Sequence, residues 1–177
     1  IPYQITVSLA ISNRFSVEAI EELYAGIKLA CELYKIDLVG GDTTSSPKGL
    51  TLSVTALGRQ QKEKIVYRSG AQVGDYLFVT GDLGGAFLGL QLLEREKKIF
   101  LENPGIQPDL ENKKHIVGRF LKPEARKDIV DAMRAQSIVP TAMIDISDGL
   151  SSEILHICNQ SNCGAIIYEN EIPIHPE

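Results

Sequence analysis

An apolar strand, an acidic glycine corner and a helix follow one another in residues 141–158, and this order limits the folds open to the chain. The corner is Asp145-Ile146-Ser147-Asp148-Gly149. Apolar residues then recur at helical spacing, at Leu150, Ile154, Leu155, Ile157 and Cys158. We expect Asp145 at the strand end and Ser147 or Asp148 as the cap of the helix. Two carboxylates beside a helix N-terminus also suit a hard cation, and an ordinary N-cap is the alternative interpretation.

Two further acidic glycine corners have the same character. A short strand at 36–39 runs into Gly40-Gly41-Asp42-Thr43-Thr44-Ser45-Ser46, and a strand at 76–80 runs into Gly81-Asp82-Leu83-Gly84-Gly85. The first corner is either a ligand-binding loop or a Gly/Ser-rich turn. The second lacks the spacing of a P-loop and of a dinucleotide-binding loop. Its Asp82 has no secure role and is a candidate structural cap.

The remaining pattern predicts a mixture of helices and strands. Residues 6–11 read as a strand, Ser16 as the N-cap of a helix that extends to Tyr34, and residues 50–58 as a strand with one buried face. Further helices are predicted over 112–120 and 123–136, and a strand over 165–168. The charged stretch 59–64 is the candidate linker. Arg68 follows it, either as a solvated surface residue or as a ligand for phosphate.

Composition narrows the function classes. The net charge is −5, which disfavours nucleic acid or an anionic membrane as the main partner. No apolar run reaches the roughly 18 residues of a membrane span. The start, Ile1-Pro2-Tyr3-Gln4, does not resemble a signal peptide. Three cysteines in apolar helical contexts indicate reduced thiols and a cytoplasmic protein, and a helix and turn explain His156, Cys158 and Cys163 better than a zinc site.

Acidic corners that meet at one cleft would suit Mg²⁺ held by carboxylates and by substrate phosphates. Phosphoryl transfer requires mainly such cations, donors for the developing charge and in-line positioning. No covalent nucleophile and no general acid or base can be assigned from the spacing of residues. The residues alone therefore indicate a Mg-nucleotide site.

Five motifs in order resemble those of the thiamine-monophosphate kinase family, within the superfamily that includes aminoimidazole ribonucleotide synthetase. They cover nearly the whole chain, and the form Asp-Ile-Ser-Asp-Gly-Leu is the most discriminating. The motifs are Gly40-Gly-Asp-Thr-Thr44, Arg68-Ser-Gly-Ala-x-x-Gly-Asp75, Thr80-Gly-Asp-Leu-Gly84, Leu121-Lys-Pro-x-Ala-Arg126 and Asp145-Ile-Ser-Asp-Gly-Leu150.

The resemblance implies transfer of the γ-phosphoryl group of ATP directly onto thiamine monophosphate, giving thiamine diphosphate and ADP. Position by position, it implies ATP contacts for Gly41, Asp42, Arg68 and Ser147. It also implies Mg²⁺ ligation by three carboxylates, those of Asp42, Asp145 and Asp148. Another ATP-dependent synthetase of the superfamily, or a non-catalytic nucleotide-binding or dimerisation module, remains an alternative.

The family fold implies an α+β chain with two parts. Residues 1–60 would be the end of an N-terminal half-barrel domain that binds ATP and Mg²⁺ and forms a homodimer. Residues 64–177 would be the first part of a C-terminal α/β layered domain. Further acidic Mg²⁺ ligands of the family would precede Ile1, and residues that close over the thiamine would follow Glu177, so we expect a central fragment.

Overall fold

The computed structural model describes residues 1–176. These residues form two compact units, Ile1–Ile65 and Val66–Glu177, which we call unit 1 and unit 2 and describe separately. Unit 1 carries a small sheet and the regular elements of unit 2 are helices joined by long irregular segments, so the predicted α+β class is confirmed. Among the described helices, none combines the length and the apolar character that a membrane crossing requires.

Unit 1 is a three-stranded sheet with one long helix. The elements are β1 (Pro2–Ile11), α1 (Val17–Tyr34), β2 (Asp37–Ser45) and β3 (Leu50–Gly58), followed by a 3₁₀ turn at Lys62–Lys64. Strand β1 lies in the centre, parallel to β2 and antiparallel to β3. Alternation of apolar and polar residues in β1 and β3 places one set of side chains on each face. Val7 and Leu9 of β1 are the buried apolar side chains of this unit.

The start of α1 agrees with the sequence prediction. The Ser16 hydroxyl oxygen accepts a hydrogen bond from the Ala19 N–H at 3.2 Å, which is the usual arrangement of an N-cap serine. The helix ends where Lys35 adopts a left-handed conformation, with φ at 55°.

The prediction of a corner at residues 40–46 was wrong, because β2 continues through it to Ser45. Strand β1 offers backbone partners along this whole stretch, from Thr6 opposite Gly40 to Ile11 opposite Ser45. The ladder of hydrogen bonds therefore outweighs the low strand propensity of two consecutive glycines. Asp42 is consequently a strand residue and not a corner residue.

The described part of unit 2, residues 66–176, contains four α-helices. They are α2 (Gly85–Glu102), α3 (Lys114–Leu121), α4 (Lys127–Ala135) and α5 (Leu150–Ser161), and a 3₁₀ turn follows at Glu169–Glu171. Helices α2 and α3 pack closely, because Gly85 and Gly89 leave room for Arg119, Ile116 and Phe120. Gly89 is buried, and Ile116 is the buried apolar side chain on the facing helix.

The strands predicted at 76–80, 141–144 and 165–168 do not form in the described part of unit 2. These stretches have strand-like composition, but a strand requires a continuous row of backbone partners. Here the structure supplies isolated bonds instead, such as the Met143 N–H to the Tyr67 carbonyl oxygen at 2.9 Å. Tyr76 and Phe78 are accordingly about nine-tenths exposed, at 87% and 90%.

Candidate functional site

Asp42 lies on the polar face of the sheet in unit 1. It is opposite Ser8 of β1, and Ser8 in turn is opposite Ser53 of β3, so the three residues form one row across the sheet. The Asp42 carboxylate is exposed and accepts a hydrogen bond from the Thr43 N–H at 2.9 Å. The row thus presents one carboxylate beside two hydroxyls.

Gly41 of β2 lies against the backbone of Val7 in β1. A Cβ atom at this position would overlap the carbonyl oxygen of Val7, so only glycine fits without a shift of backbone. The neighbouring Gly40 has open space at the same point. Gly41 therefore sets the position of the strand that carries Asp42.

Arg68 and Asp145 meet in unit 2, in a shallow open depression. Two chain segments line it side by side, Val66–Arg68 and Met143–Asp145. The Arg68 Nη2 atom is 3.9 Å from the Asp145 Oδ1 atom, and the two side chains are 54% and 81% exposed. Both groups are therefore accessible to a ligand, and an exposed pair at this distance is weak.

Hydrogen bonds connect the loop after Arg68 to residues of unit 2 that are far away in the sequence. The Ser161 hydroxyl oxygen at the end of α5 accepts the N–H groups of Gly70 and Ala71, each at 3.1 Å. The Thr141 hydroxyl donates to the Asp75 Oδ2 atom at 2.7 Å, and this bond is the main cause that lowers the pKa of Asp75. These bonds hold the Arg68 loop beside the segment that leads to Asp145.

The acidic corner before α5 is not capped as the sequence predicts. The N-cap residue is Gly149, with φ at 133°, and no side chain caps the helix there. Instead, the Glu153 carboxylate accepts hydrogen bonds from the N–H groups of Ser147 and Asp148. The bond from Asp148 is the first cause that holds the pKa of Glu153 below its usual value. The prediction that Ser147 or Asp148 caps the helix was therefore wrong.

Sequence reasoning missed Glu153 because it lies within the predicted helix, six residues after Ser147. The usual capping box places the acid three residues after the cap residue, so this spacing gives no such signal. The one available sign was an acid in the first turn of a helix that follows a polar corner.

The exposed carboxylates are suited to bind Mg²⁺ only if a phosphate ligand also coordinates the ion. Within residues 1–176, no group of three or more His, Cys, Asp or Glu side chains is placed to hold a metal ion. Asp145 and Asp148 offer hard oxygen atoms to solvent. Such a donor set suits Mg²⁺, which commonly keeps water and binds one or two carboxylates together with substrate phosphates.

The predicted site residues are distributed over both units. Gly41 and Asp42 belong to unit 1, and Arg68, Asp145, Ser147 and Asp148 belong to unit 2. Within unit 2 the structure brings Arg68 to Asp145, and it joins Ser147 to Asp148 through Glu153.

Asp82 lies in a separate charged cluster of unit 2. Its Oδ2 atom is 2.9 Å from the His115 Nε2 atom, and its Oδ1 atom is 3.6 Å from the Arg119 Nε atom. The His115 and His175 rings stack at 3.6 Å. Burial on its own would raise the pKa of Asp82, but the His115 hydrogen bond and the charges of His115, Arg119 and His175 together lower it. Asp82 thus joins the loop before α2 to α3.

We expect Asp82→Asn to destabilise unit 2 at pH 7, and the destabilisation to decrease as the pH is lowered below about 4. The pKa of Asp82 is lowered in the folded state, so its stabilising effect is present above about pH 4 and is lost as the pH falls through the lowered value. Loss of a hydrogen-bonded carboxylate in such a cluster costs about 1–3 kcal/mol. Urea unfolding at a series of pH values from 7 downward measures the difference, with Asp109→Asn as an exposed control. A loss of stability that stays the same at every pH would contradict the prediction.

Comparison with known families gives two consecutive matches. The domain model described as "AIR synthase related protein, N-terminal domain" matches residues 1–60, and the model of the corresponding C-terminal domain matches residues 72–177. Together these matches include almost the entire chain.

Curated relatives include thiamine-monophosphate kinases. The Bacillus subtilis protein is 35% identical over all of this chain and 52% of its own length, and the Aquifex aeolicus protein is 33% identical over all of this chain and 53% of its own length. The chain therefore spans about half the length of these relatives. The resemblance to thiamine-monophosphate kinases is confirmed.

Solved structures agree with the sequence relatives. A structure described as AaThiL complexed with AMPPCP and TMP has a TM-score of 0.75 at 33% identity, over 92% of this chain and 48% of that one. The thiamine-monophosphate kinase of Stenotrophomonas maltophilia has a TM-score of 0.82 at 31% identity, over 99% of this chain and 52% of that one. Escherichia coli HypE, at 15% identity and a TM-score of 0.70, shares the fold alone. The chain belongs to the AIR synthase-related protein family.

Proposed function

We propose that this chain is part of an enzyme that transfers the γ-phosphoryl group of ATP directly onto thiamine monophosphate. The observation that carries the proposal is the likeness to a solved relative described as bound to AMPPCP and TMP, at 33% identity over 92% of this chain. The meeting of Arg68 and Asp145 beside Ser147 and Asp148 supports it, because it supplies a cation and carboxylates at one exposed place.

Each residue has a role in this proposal. The Arg68 guanidinium group donates to phosphate oxygens, for which its planar fork of N–H groups is well suited. The Asp42 carboxylate in unit 1 and the Asp145 and Asp148 carboxylates in unit 2 are each assigned as ligands that would hold Mg²⁺, and Mg²⁺ would neutralise negative charge on the phosphates. The Ser147 hydroxyl contacts ATP, and Gly41 lets the β2 backbone approach the nucleotide.

The proposed reaction uses positioning and charge more than acid–base chemistry. The terminal phosphate oxygen of thiamine monophosphate attacks the γ-phosphorus of ATP as the bond to the β–γ bridging oxygen breaks, and ADP leaves. An ionised phosphate already carries a nucleophilic oxygen, so no general base is assigned. In this proposal Arg68 stabilises the charge that develops as the reaction proceeds.

We further propose a homodimer formed through the N-terminal part, and a cytoplasmic location. The apolar side chains of β3 support the dimer, because Leu52 and Val54 are 44% and 52% exposed although they lie opposite Leu9 and Val7. The division into residues 1–60 and 64–177 is part of the same proposal and agrees with the two compact units. The three free cysteines of residues 1–176 support a reducing compartment.

The proposed function is tested by a ³¹P NMR time course with Mg-ATP, in the presence and absence of thiamine monophosphate. A protein of the relatives' full length that contains this sequence is compared with the chain itself. We expect the full-length protein to form thiamine diphosphate and ADP only when thiamine monophosphate is present. Shifted ATP signals without conversion would favour a non-catalytic nucleotide-binding module. Conversion only with another acceptor would favour a different synthetase of the superfamily.

A further inference from the structure

We propose that Glu153 is a positioning residue of the candidate site, which fixes the backbone between Ser147 and Asp148 and orients the Ser147 hydroxyl. This inference rests on the proposed function of Ser147 and Asp148 as ATP and Mg²⁺ contacts. Glu153 itself is buried in the first turn of α5, and in this proposal it contacts neither ATP nor Mg²⁺.

A single oxygen atom of Glu153 accepts hydrogen bonds from three donors of the corner before α5. The Oε1 atom accepts the Asp148 N–H at 3.2 Å, the Ser147 N–H at 3.4 Å and the Ser147 hydroxyl at 3.3 Å. Each of these bonds is long and individually weak, but three donors converge on one charged acceptor. The Glu153 carboxylate therefore restrains the backbone N–H groups of Ser147 and Asp148.

The burial of Glu153 indicates that this arrangement is specific. Its residue is 4% exposed, and its Oε2 atom is buried without a hydrogen-bond partner in the described part of the chain. Removing a carboxylate from water is costly unless donors compensate for it. The corner N–H groups supply most of this compensation, together with the Ser147 and Ser152 side chains, so the positions of the corner and of the carboxylate depend on each other.

The corner has little other support. Gly149 has φ at 133° and ψ at 153°, a conformation that side-chain-bearing residues rarely adopt, and no side chain caps α5. Within the hydrogen bonds described for residues 1–176, the N–H groups of Ser147 and Asp148 bond to Glu153. The Glu153 N–H also donates to the Gly149 carbonyl oxygen at 3.2 Å, so one residue binds both sides of the glycine.

The positioning role follows because Glu153 binds backbone N–H groups and leaves the Asp148 carboxylate accessible. Glu153 engages the N–H groups, whereas the Ser147 and Asp148 residues remain exposed to solvent. A ligand can therefore reach the Asp148 carboxylate while the backbone behind it stays in one conformation. Preorganised groups of this kind lose less entropy when a ligand binds.

The test compares Glu153→Ala, Glu153→Gln and the control Glu96→Ala in a full-length protein that contains this sequence. Glu96 is a matched control, because it is 5% exposed and accepts the Asp109 N–H from another part of unit 2. We measure amide hydrogen exchange at Ser147 and Asp148 without nucleotide, the affinity for Mg-AMPPCP, and kcat and KM for ATP.

In Glu153→Ala we expect exchange at Ser147 and Asp148 to accelerate by about tenfold or more, the effect of losing a charge-assisted bond. We expect kcat/KM for ATP to fall by a similar factor, with a smaller effect in Glu153→Gln, which keeps an acceptor oxygen. Glu96→Ala should lower the melting temperature without changing these quantities. Should Glu153→Ala not fold, Glu153→Gln serves for the same comparison.

The inference is overturned if the Glu153 variants unfold at lower temperature but keep the wild-type exchange rates at Ser147 and Asp148 and the wild-type kcat/KM. Glu153 would then have only a structural role. Failure of the proposed function is a separate result. If the wild-type protein forms no thiamine diphosphate, amide hydrogen exchange and Mg-AMPPCP affinity can still be compared between the wild type and the Glu153 variants. Faster exchange with unchanged Mg-AMPPCP affinity would also overturn the positioning role.

Discussion

Replacement of Gly89 by alanine is expected to destabilise unit 2 by about 1–3 kcal/mol, the usual cost of inserting a methyl group into a packed contact. The added Cβ atom would overlap the Ile116 carbonyl oxygen and lie 3.1 Å from the Phe120 Cβ atom. A backbone oxygen cannot move aside by changing rotamer, so α2 and α3 would have to separate. The higher helix propensity of alanine, about 1 kcal/mol, offsets only part of this cost.

Gly118→Ala provides the matched control for this prediction. Gly118 lies in α3, the helix that faces Gly89, but a Cβ atom there would meet nothing within 4 Å. We expect this variant to be more stable than the wild type by roughly 0.5–1 kcal/mol. Chemical denaturation of both variants measures the difference. The same sign of change for both substitutions would show that the α2–α3 contact does not limit the residue at position 89.

Local patterns predicted much of unit 1, and the exception is informative. Periodicity and a serine cap identified β1, α1 and β3, because these signals are contained in a few neighbouring residues. The end of β2 depended instead on β1, whose backbone pairs with residues 40–45 although two glycines disfavour a strand. The residues of β2 alone do not reveal this partner strand, because α1 separates the two strands in the sequence.

In the candidate site, too, the residue types could be recognised from the local sequence, whereas the contacts between residues far apart in the chain could not. The residue types at Asp42, Arg68, Asp145 and Asp148 indicated cation and phosphate chemistry, and the resemblance to a family gave them roles. The contact between Arg68 and Asp145 depends on the Tyr67–Met143 and Gly70–Ser161 hydrogen bonds, which join residues far apart in the chain. No spacing rule predicts these bonds, and Glu153 was missed for a related reason, since its partners lie outside the helix that contains it.

Asp145→Asn is expected to remove most of the phosphoryl transfer in a full-length protein that contains this sequence, with little change in stability. The Asp145 side chain is 81% exposed, and its ion pair with Arg68, at 3.9 Å, is weak. Exposed pairs of this kind contribute about 0–1 kcal/mol. Asp145 acts in this proposal through the Mg²⁺ that it would hold. Loss of one group that stabilises developing charge typically costs about 10²–10³-fold in kcat, and we expect loss of this Mg²⁺ ligand to cost about as much.

Asp128→Asn is the matched control for Asp145→Asn. Asp128 also forms an exposed arginine pair in unit 2, with the Arg126 Nη2 atom 2.9 Å from its Oδ2 atom, but it has no place in the proposed site. We expect this variant to keep the wild-type kcat. Turnover is measured as thiamine diphosphate formed per folded molecule, and the melting temperature is measured on the same samples.

The two measurements on Asp145→Asn separate a ligand from a structural residue. A carboxylate that binds Mg²⁺ together with phosphates contributes mainly when the nucleotide is present, so its loss should lower turnover and Mg-AMPPCP affinity in a protein that still folds. A carboxylate that supports the corner contributes in the free protein, so its loss should lower the melting temperature and leave turnover per folded molecule unchanged. The exposure of Asp145 favours the first outcome, since a group that remains in water forms few contacts that folding could lose.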